Sequence, residues 1–223
     1  MKLVHPDIEK QIVFKNTYAF ECIIESPELF SQYVQELNEQ SYGREGAFIL
    51  SYEEKELDIS KNVELILNPF AIDLNDKRIL KKIYTDLTEL AYAEPFYNKT
   101  QEVKNELQQY FYLLEQEYDC ILDANEEIEV SNLLKAMNVR IMNEAGNLLD
   151  NLSLYIKLSS LLLHKKLIIL INIRSYIDIY SLEELIKTAE HNNISLLFIE
   201  NMQRCFSTKC SYCIIDKDGC LIY

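Results

Sequence analysis

The clearest pattern of apolar and polar positions lies between residues 164 and 201. Two unbroken apolar runs, residues 167–171 and 196–199, enclose a segment whose apolar residues recur at helical spacing. Unbroken apolar runs are typical of strands in a parallel sheet, because helices cover both of its faces. Ser181 followed by Glu184 is a capping-box pattern, which predicts where the intervening helix begins. The segment therefore predicts a right-handed strand–helix–strand unit and an α/β core.

The N-terminal part of the chain predicts further strands and a helix. Residues 8–14 and 18–24 are apolar segments separated by three polar residues, which predicts a hairpin. Ser26 before Pro27 predicts the start of a helix, since serine is a good N-cap and proline suits the first helical position. Residues 63–67 predict one more strand. These elements extend the α/β core.

The apolar period then becomes helical, which divides the chain into two predicted domains. Two helices follow residue 75, and the second is predicted to be about 24 residues long, or roughly 36 Å. Strand patterns return afterwards, at residues 139–142 and in a C-terminal hairpin around a turn at residues 216–219. We predict an α/β head of residues 1–72 and 138–223, interrupted by an all-helical leg of residues 73–137.

Composition limits the classes of function. The chain has 22 Lys and Arg against 36 Asp and Glu, a net charge of −14. This balance argues against a protein coated in basic charge, so any contact with DNA has to be a local patch. The longest apolar tract, residues 161–173, is interrupted by His164, Lys165 and Lys166. With no signal-peptide pattern at the N-terminus, we predict a cytoplasmic protein without membrane contact.

Common catalytic and cofactor motifs are missing from the sequence. A phosphate-binding loop needs closely spaced glycines and a lysine, whereas the chain has four glycines in all, so we predict no nucleotide. Cys205, Cys210, Cys213 and Cys220 are close enough in sequence for zinc or an iron–sulfur centre. Two of them fall at the start of a predicted strand, which favours buried, reduced thiols. We predict no catalytic residue.

A cluster of basic residues marks the start of the first leg helix. Lys77, Arg78, Lys81 and Lys82 stand at i, i+1, i+4 and i+5, so they share one broad helix face that can neutralise several phosphates. The alternative is a solvated face paired with nearby aspartates. Four other basic residues are further candidates for DNA contact: Lys135, Arg140, Lys165 and Lys166.

The most acidic part of the chain follows the second leg helix. Its spacing is not that of an EF-hand, because the glycine and the alternating aspartates are missing. A solvated loop is therefore one interpretation, and a site for a divalent cation is the other. The candidate carboxylates are Glu117, Asp119, Asp123, Glu126, Glu127 and Glu129.

Five segments of the sequence form a pattern of apolar runs and polar anchors: LLHKKLIILIN with the helix after it, LLFIEN, ILKKIYTDL, YLLEQEYD and LLKAMNVRI. Together they resemble one family, the Csn-two proteins of type II-A CRISPR systems. The resemblance implies a head similar to a P-loop ATPase core, with a mostly parallel sheet and an inserted helical leg. It also implies four copies in a ring, lysines lining that ring, and calcium ions stiffening the leg. Lys81 in ILKKIY, and Glu117 and Asp119 in EQEYD, fall on matching positions of the family pattern.

The resemblance implies a function without catalysis. Proteins of the family look like clamps for double-stranded DNA ends, bound without sequence specificity during spacer acquisition, the adaptation step of CRISPR antiviral defence. The expected partners are the integrase pair and the RNA-guided nuclease of the same locus. Two other hypotheses remain open from the residues alone: a metal-dependent nuclease or NTPase that uses the acidic stretch, and a protein-binding scaffold.

Overall fold

The computed structural model describes residues 1–15, 17–125, 127–142 and 146–222. The chain forms two compact units. The sheet unit consists of Met1–Leu74 and Asn143–Tyr223, and the helical unit of Asn75–Met142.

Ten strands, all in the sheet unit, are found in the described ranges. In chain order they are β1 (Lys2–His5), β2 (Ile8–Val13), β3 (Ala19–Ile24), β4 (Ile49–Tyr52), β5 (Lys55–Leu57), β6 (Val63–Ile66), β7 (Leu167–Ile171), β8 (Ser195–Glu200), β9 (Ser211–Ile215) and β10 (Leu221–Ile222). The larger sheet has the order β10-β9-β3-β8-β7-β6 and is parallel except for the β9–β10 pair. The smaller sheet, β2-β1-β4-β5, is antiparallel. A mixed α/β fold with a mostly parallel sheet is confirmed.

Helices belong to both units. In chain order they are α1 (Pro27–Ser41), α2 (Ile59–Asn62), α3 (Lys77–Tyr92), α4 (Tyr97–Gln116), α5 (Val130–Ala136), α6 (Leu148–Leu161) and α7 (Ile179–His191). Helices α3, α4 and α5 make up the helical unit. The second leg helix is therefore 20 residues long, somewhat shorter than predicted.

The predicted hairpin of residues 8–14 and 18–24 is wrong. Both segments are strands, but β2 pairs with β1 in the small sheet whereas β3 pairs with β8 and β9 in the large one. Burial explains the separation: every residue of β3 is buried, while β2 has buried positions mixed with exposed ones. A strand buried on both faces is stable in the centre of a parallel sheet and not in a two-stranded hairpin.

The strand–helix–strand unit is confirmed, although its helix begins earlier than predicted. Strands β7 and β8 are parallel neighbours joined through α7. The N-cap is Asp178, which accepts a hydrogen bond of 2.8 Å from the backbone N–H of Ser181. This hydrogen bond lowers the pKa of Asp178. The capping box at Ser181 is therefore wrong, because an aspartate three residues upstream is also a strong cap.

Residues 139–142 do not form the predicted strand. The side chain of Asn75 makes the two hydrogen bonds that a neighbouring strand would make. It accepts from the backbone N–H of Ile141 at 2.7 Å and donates to the carbonyl of Ile141 at 3.2 Å. A side-chain amide thus satisfies an extended backbone without a sheet. The C-terminal hairpin is confirmed as β9–β10, with Gly219 at a φ of 82° in its turn.

Helices pack on both faces of the large sheet. Tyr33 and Leu37 of α1 share a core with Cys22, Ile169 and Ile199 on one face. On the other face, Tyr155 of α6 donates a hydrogen bond of 2.6 Å to Glu64 of β6. The connection from β3 into α1 consists of two residues, Glu25 and Ser26, and the Ser26 hydroxyl caps the helix itself. A P-loop-like head therefore remains a prediction from the resemblance.

Candidate nucleic-acid interface

A groove between α3 and α5 gathers several of the predicted DNA-binding lysines. Asp76 is the N-cap of helix α3, and its carboxylate accepts from the backbone N–H groups of Arg78 and Ile79. The cavity volume is about 500 Å³. Its lining residues are Lys77, Leu80, Lys81, Tyr84, Thr85, Thr88, Glu89, Ser131 and Lys135.

The structure sorts the four basic residues of α3 into two pairs. Lys77 and Lys81 line the groove, which their i, i+4 spacing places on one stripe of the helix. Arg78 and Lys82 lie about 100° further round. Arg78 makes a 2.7 Å ion pair with Asp76, and Lys82 makes a 3.1 Å pair with Asp86. The single broad face thus becomes one stripe facing the groove and one stripe paired with aspartates.

The pKa of Asp76 is consistent with a stable ion pair to Arg78. Burial would raise its pKa, but hydrogen bonds from the Arg78 side chain and from the backbone of Ile79 outweigh burial and lower the pKa. The carboxylate therefore stays ionised and keeps Arg78 bound at neutral pH. Arg78 is a weaker candidate for phosphate contact than Lys81.

Lys135 and Arg140 occupy different surroundings. Lys135 of α5 lines the groove opposite α3, and its ammonium donates to the Asn132 side chain at 3.2 Å. Arg140 is exposed in the segment after α5 and does not line the groove. Lys77, Lys81 and Lys135 are therefore the basic residues that one surface brings together. Sequence reasoning missed the hydroxyl groups of Thr85 and Thr88 beside them, which carry no signal except their helical spacing.

Lys165 is wrong as a candidate for DNA contact. Its side chain is buried and donates to the carbonyls of Ser60 and Val63 at 2.9 and 2.8 Å. It also lies 3.6 Å from the Glu64 carboxylate. A lysine committed to three internal oxygens holds the edge of the sheet together. Lys166 is exposed, with its ammonium 6.0 Å from the ring centre of Tyr52.

The acidic stretch does not assemble into one cluster. Glu117 and Asp119 are exposed just after α4, and Asp123 is exposed further along. Glu127 lies 3.8 Å from the Lys104 ammonium, and Glu129 accepts from the side chains of Ser131 and Asn132. Glu126 lies outside the described residues. Within the described ranges, no three His, Cys, Asp or Glu side chains converge as a metal site. The arrangement described therefore does not fit a preformed calcium site.

The cysteines are thiols in the described part of the chain. Cys205 and Cys220 are exposed, whereas Cys210 and Cys213 are buried. Cys213 lies 3.6 Å from Cys22, its partner on the neighbouring strand. Burial raises the pKa of Cys210, which keeps that thiol protonated. The expectation of reduced, buried thiols holds for Cys210 and Cys213.

Sequence reasoning also missed a buried group of charges in the sheet unit. Glu21, Arg174 and Glu200 are each at least 95% buried. Their signal was available, since Glu21 interrupts the apolar strand β3 and Glu200 ends the apolar run of β8. A charge in such a run demands a partner, because an isolated buried charge is strongly unfavourable.

Comparison with known proteins identifies the family. A family model described as CRISPR-associated protein (Cas_Csn2) matches residues 40–219. The chain belongs to the Csn2 family. A CRISPR-associated protein Csn2 from Enterococcus faecalis is 28% identical to this Csn2-family chain over 160 residues, which cover 68% of each chain. The predicted family is therefore confirmed.

A solved structure supports the fold of this Csn2-family protein. Stu0660 of Streptococcus thermophilus matches with a TM-score of 0.54 and 14% identity, over 89% of this chain and 68% of that one. At this identity the match concerns the fold alone. Across the part of the chain that the structure describes, no helix is both long and apolar enough to cross a membrane.

Proposed function

We propose that this CRISPR-associated protein is a non-enzymatic clamp that binds double-stranded DNA ends without reading their sequence. It acts in spacer acquisition, together with the integrase pair and the RNA-guided nuclease of the same locus, in the cytoplasm. The clamp is a ring of four copies, as the family resemblance implies. No nucleotide and no membrane take part.

One observation carries the proposal: the groove between α3 and α5 collects Lys77, Lys81 and Lys135. Among the residues that the structure describes, none of these three ammonium groups is paired with a carboxylate, whereas Arg78 and Lys82 on the neighbouring stripe both are. Lysines without acid partners are the ones that can exchange counterions for phosphates. Amino groups at the end of flexible side chains position a backbone but do not read bases, which supports binding without sequence specificity.

The strongly acidic composition is compatible with this proposal. Phosphate affinity depends on local potential, so a net charge of −14 does not prevent binding at a basic groove. Negative charge elsewhere repels the duplex from the remaining surface. This combination confines DNA to the groove and keeps the protein soluble.

Calcium enters the proposal only as an effector. Glu127 and Glu129 have other partners, so binding would require the segment that follows α4 to rearrange around Glu117, Asp119 and Asp123. Flexible oxygen ligands of this kind suit calcium, which accepts six to eight of them in irregular geometry. No contact with DNA in the proposal depends on the ion.

Competition between duplexes of different topology tests the clamp. A labelled linear duplex is bound, and unlabelled linear, covalently closed circular and streptavidin-blocked linear duplexes of the same sequence compete for the protein. We expect the open linear duplex to compete best. Equal competition by the closed circle would refute threading over ends, and cleavage of the probe when Mg²⁺ is added would favour the nuclease hypothesis.

A variant of the groove lysines tests whether the duplex binds at the groove or elsewhere on the protein. Replacing Lys77, Lys81 and Lys135 together with glutamine should weaken binding of every duplex in this experiment. If wild-type protein binds no duplex even at low salt, the scaffold hypothesis replaces the clamp.

A further inference from the structure

The buried charges of the sheet unit lie where α/β proteins usually bind ligands. Helix α1 follows β3 and packs on one face of the large sheet, whereas α6 lies on the opposite face and packs against α7, which follows β7. In such folds a crevice opens at the carboxyl ends of the strands where the connections diverge. Here Arg174 follows the end of β7 and is 5% exposed, and its guanidinium reaches Glu21 in the middle of β3.

Strand register places two carboxyl groups on the same face of the large sheet. Glu200 of β8 stands opposite Ile23 of β3, and side chains two residues apart project from the same face of a strand. Glu21 and Glu200 therefore lie on one face of the sheet, because Ile23, the direct partner of Glu200, is two residues beyond Glu21. Glu21 is 1% exposed and Glu200 is fully buried.

Arg174 contacts both carboxyl groups but satisfies neither. Its guanidinium donates to one oxygen of Glu21 at 3.1 Å, and its backbone N–H donates to one oxygen of Glu200 at 3.1 Å. The second oxygen of each carboxyl group, Oε2, has no partner among the described residues. The Nε atoms of Arg174 and Arg204 are without a partner in the same sense. Two carboxylates with free buried oxygens on one face are electrostatically unfavourable unless one carries a proton.

We propose that Glu21, Glu200, Arg174 and Arg204 form a proton-binding latch that holds residues 201–210 against the sheet face on which both glutamates lie. We call these ten residues the cover segment. The proton resides on Glu200, which makes this carboxyl group neutral. The latch belongs to the sheet unit and the α3–α5 groove to the helical unit, so the inference does not depend on the proposed DNA clamp.

The charged and titratable groups around Glu200 come from several elements. Glu21 of β3, Arg174 after β7 and Arg204 of the cover segment act on it electrostatically. Cys210 at the end of the cover segment is close enough to feel Glu21 and Arg174. On α7, Glu183 accepts from the Ser207 hydroxyl at 2.8 Å and lies 3.9 Å from the Lys209 ammonium.

These surroundings favour the neutral form of Glu200. Burial raises its pKa to about 7, the hydrogen bond from Arg174 opposes the rise, and the Glu21 carboxylate adds to it. Burial also raises the pKa of Glu21, against the attraction of Arg174. Because Arg174 donates to Glu21 through its side chain, Glu21 keeps the negative charge and Glu200 takes the proton.

The same residues tie the cover segment to the sheet. The guanidinium of Arg174 donates to the carbonyl of Cys205 at 3.0 Å, and that of Arg204 donates to the Ser175 hydroxyl at 3.3 Å. The side chain of Asn172 accepts from the backbone N–H of Asn201 at 3.1 Å. Ionisation of Glu200 places a second negative charge beside Glu21, and its free oxygen then competes for Arg174 and Arg204. The cover segment loosens as a result.

The pH dependence of unfolding tests the latch. A carboxyl group with a pKa of about 7 in the folded protein and 4.5 when unfolded stabilises the folded state less as pH rises through this window, because only the unfolded form releases its proton there. The unfolding equilibrium constant should rise by up to about 300-fold between these values and then level off. Glu200→Gln, which mimics the neutral acid, should lower the slope of its logarithm against pH by up to one.

Controls and direct readouts keep the outcome decisive. Glu184→Gln, an exposed change on α7, should leave the slope as in the wild type. In wild-type protein, the infrared carbonyl band of a protonated carboxyl group should persist to about pH 7, and hydrogen exchange of residues 201–210, corrected for intrinsic rates, should lose protection above it. An unchanged slope in Glu200→Gln refutes the latch. If that variant does not fold, a carboxyl titration by NMR that places Glu200 near 4.5 refutes it equally.

Discussion

Neutralising the three groove lysines should change the salt dependence of DNA binding in a countable way. Lys77, Lys81 and Lys135 line one groove, and none of them is paired with a carboxylate among the described residues. If each contacts one phosphate, each replacement by glutamine removes one released counterion. The slope of log affinity against log salt concentration should then become shallower by about 0.9 for each lysine.

The number of lysines in the groove sets the expected change in the salt dependence of DNA affinity. A fourfold rise in salt, from about 50 to 200 mM, changes the affinity by about 3.5-fold for each phosphate contact. Three contacts together give about 40-fold, so the triple variant should lose that much less affinity over this range than the wild type. At low salt the triple variant should bind every duplex sequence more weakly and by the same factor, because lysines bound to phosphate carry no sequence information.

Fluorescence anisotropy of a labelled linear duplex, titrated at four or five salt concentrations, measures this slope. Lys82→Gln is the matched control, since Lys82 lies on the same helix but is paired with Asp86 at 3.1 Å. It should shift the slope by much less than Lys81→Gln. Equal slopes for the wild type and the triple variant would show that the DNA contacts lie outside the α3–α5 groove.

Two further predictions concern stability. Lys165→Met should lower the free energy of unfolding by about 3–5 kcal/mol, because it leaves the buried Glu64 carboxylate without its cation. Lys166→Met, at an exposed position, should change the free energy of unfolding little. Chemical denaturation of both variants measures this, and similar losses in the two would contradict the structural role of Lys165. Millimolar calcium should raise the melting temperature, because carboxylates that repel one another gain most from a bound cation. Asp119→Ala combined with Asp123→Ala should abolish the rise. A melting temperature unaffected by calcium in the wild type would show that the acidic stretch is only a solvated loop.

Local pattern was sufficient to predict the elements whose residues determine their own environment. The apolar runs of β7 and β8 and the helical period of α7 predicted a parallel strand–helix–strand unit, since a strand buried on both faces needs apolar residues at every position. The period change after residue 75 predicted the helices of the helical unit in the same way. The family was recognised from such segments because their apolar spacing and polar anchors occur in a fixed order.

Tertiary structure decided which segments become partners. Strands β2 and β3 are close in sequence but join different sheets, because pairing depends on the burial of both faces and not on proximity along the chain. The basic residues of α3 are equivalent in the sequence. In the structure, Arg78 and Lys82 form ion pairs with Asp76 and Asp86. Lys77 and Lys81 line the groove instead. Whether a charged side chain faces a groove, an aspartate or a buried carbonyl is set by three-dimensional neighbours that no local period contains.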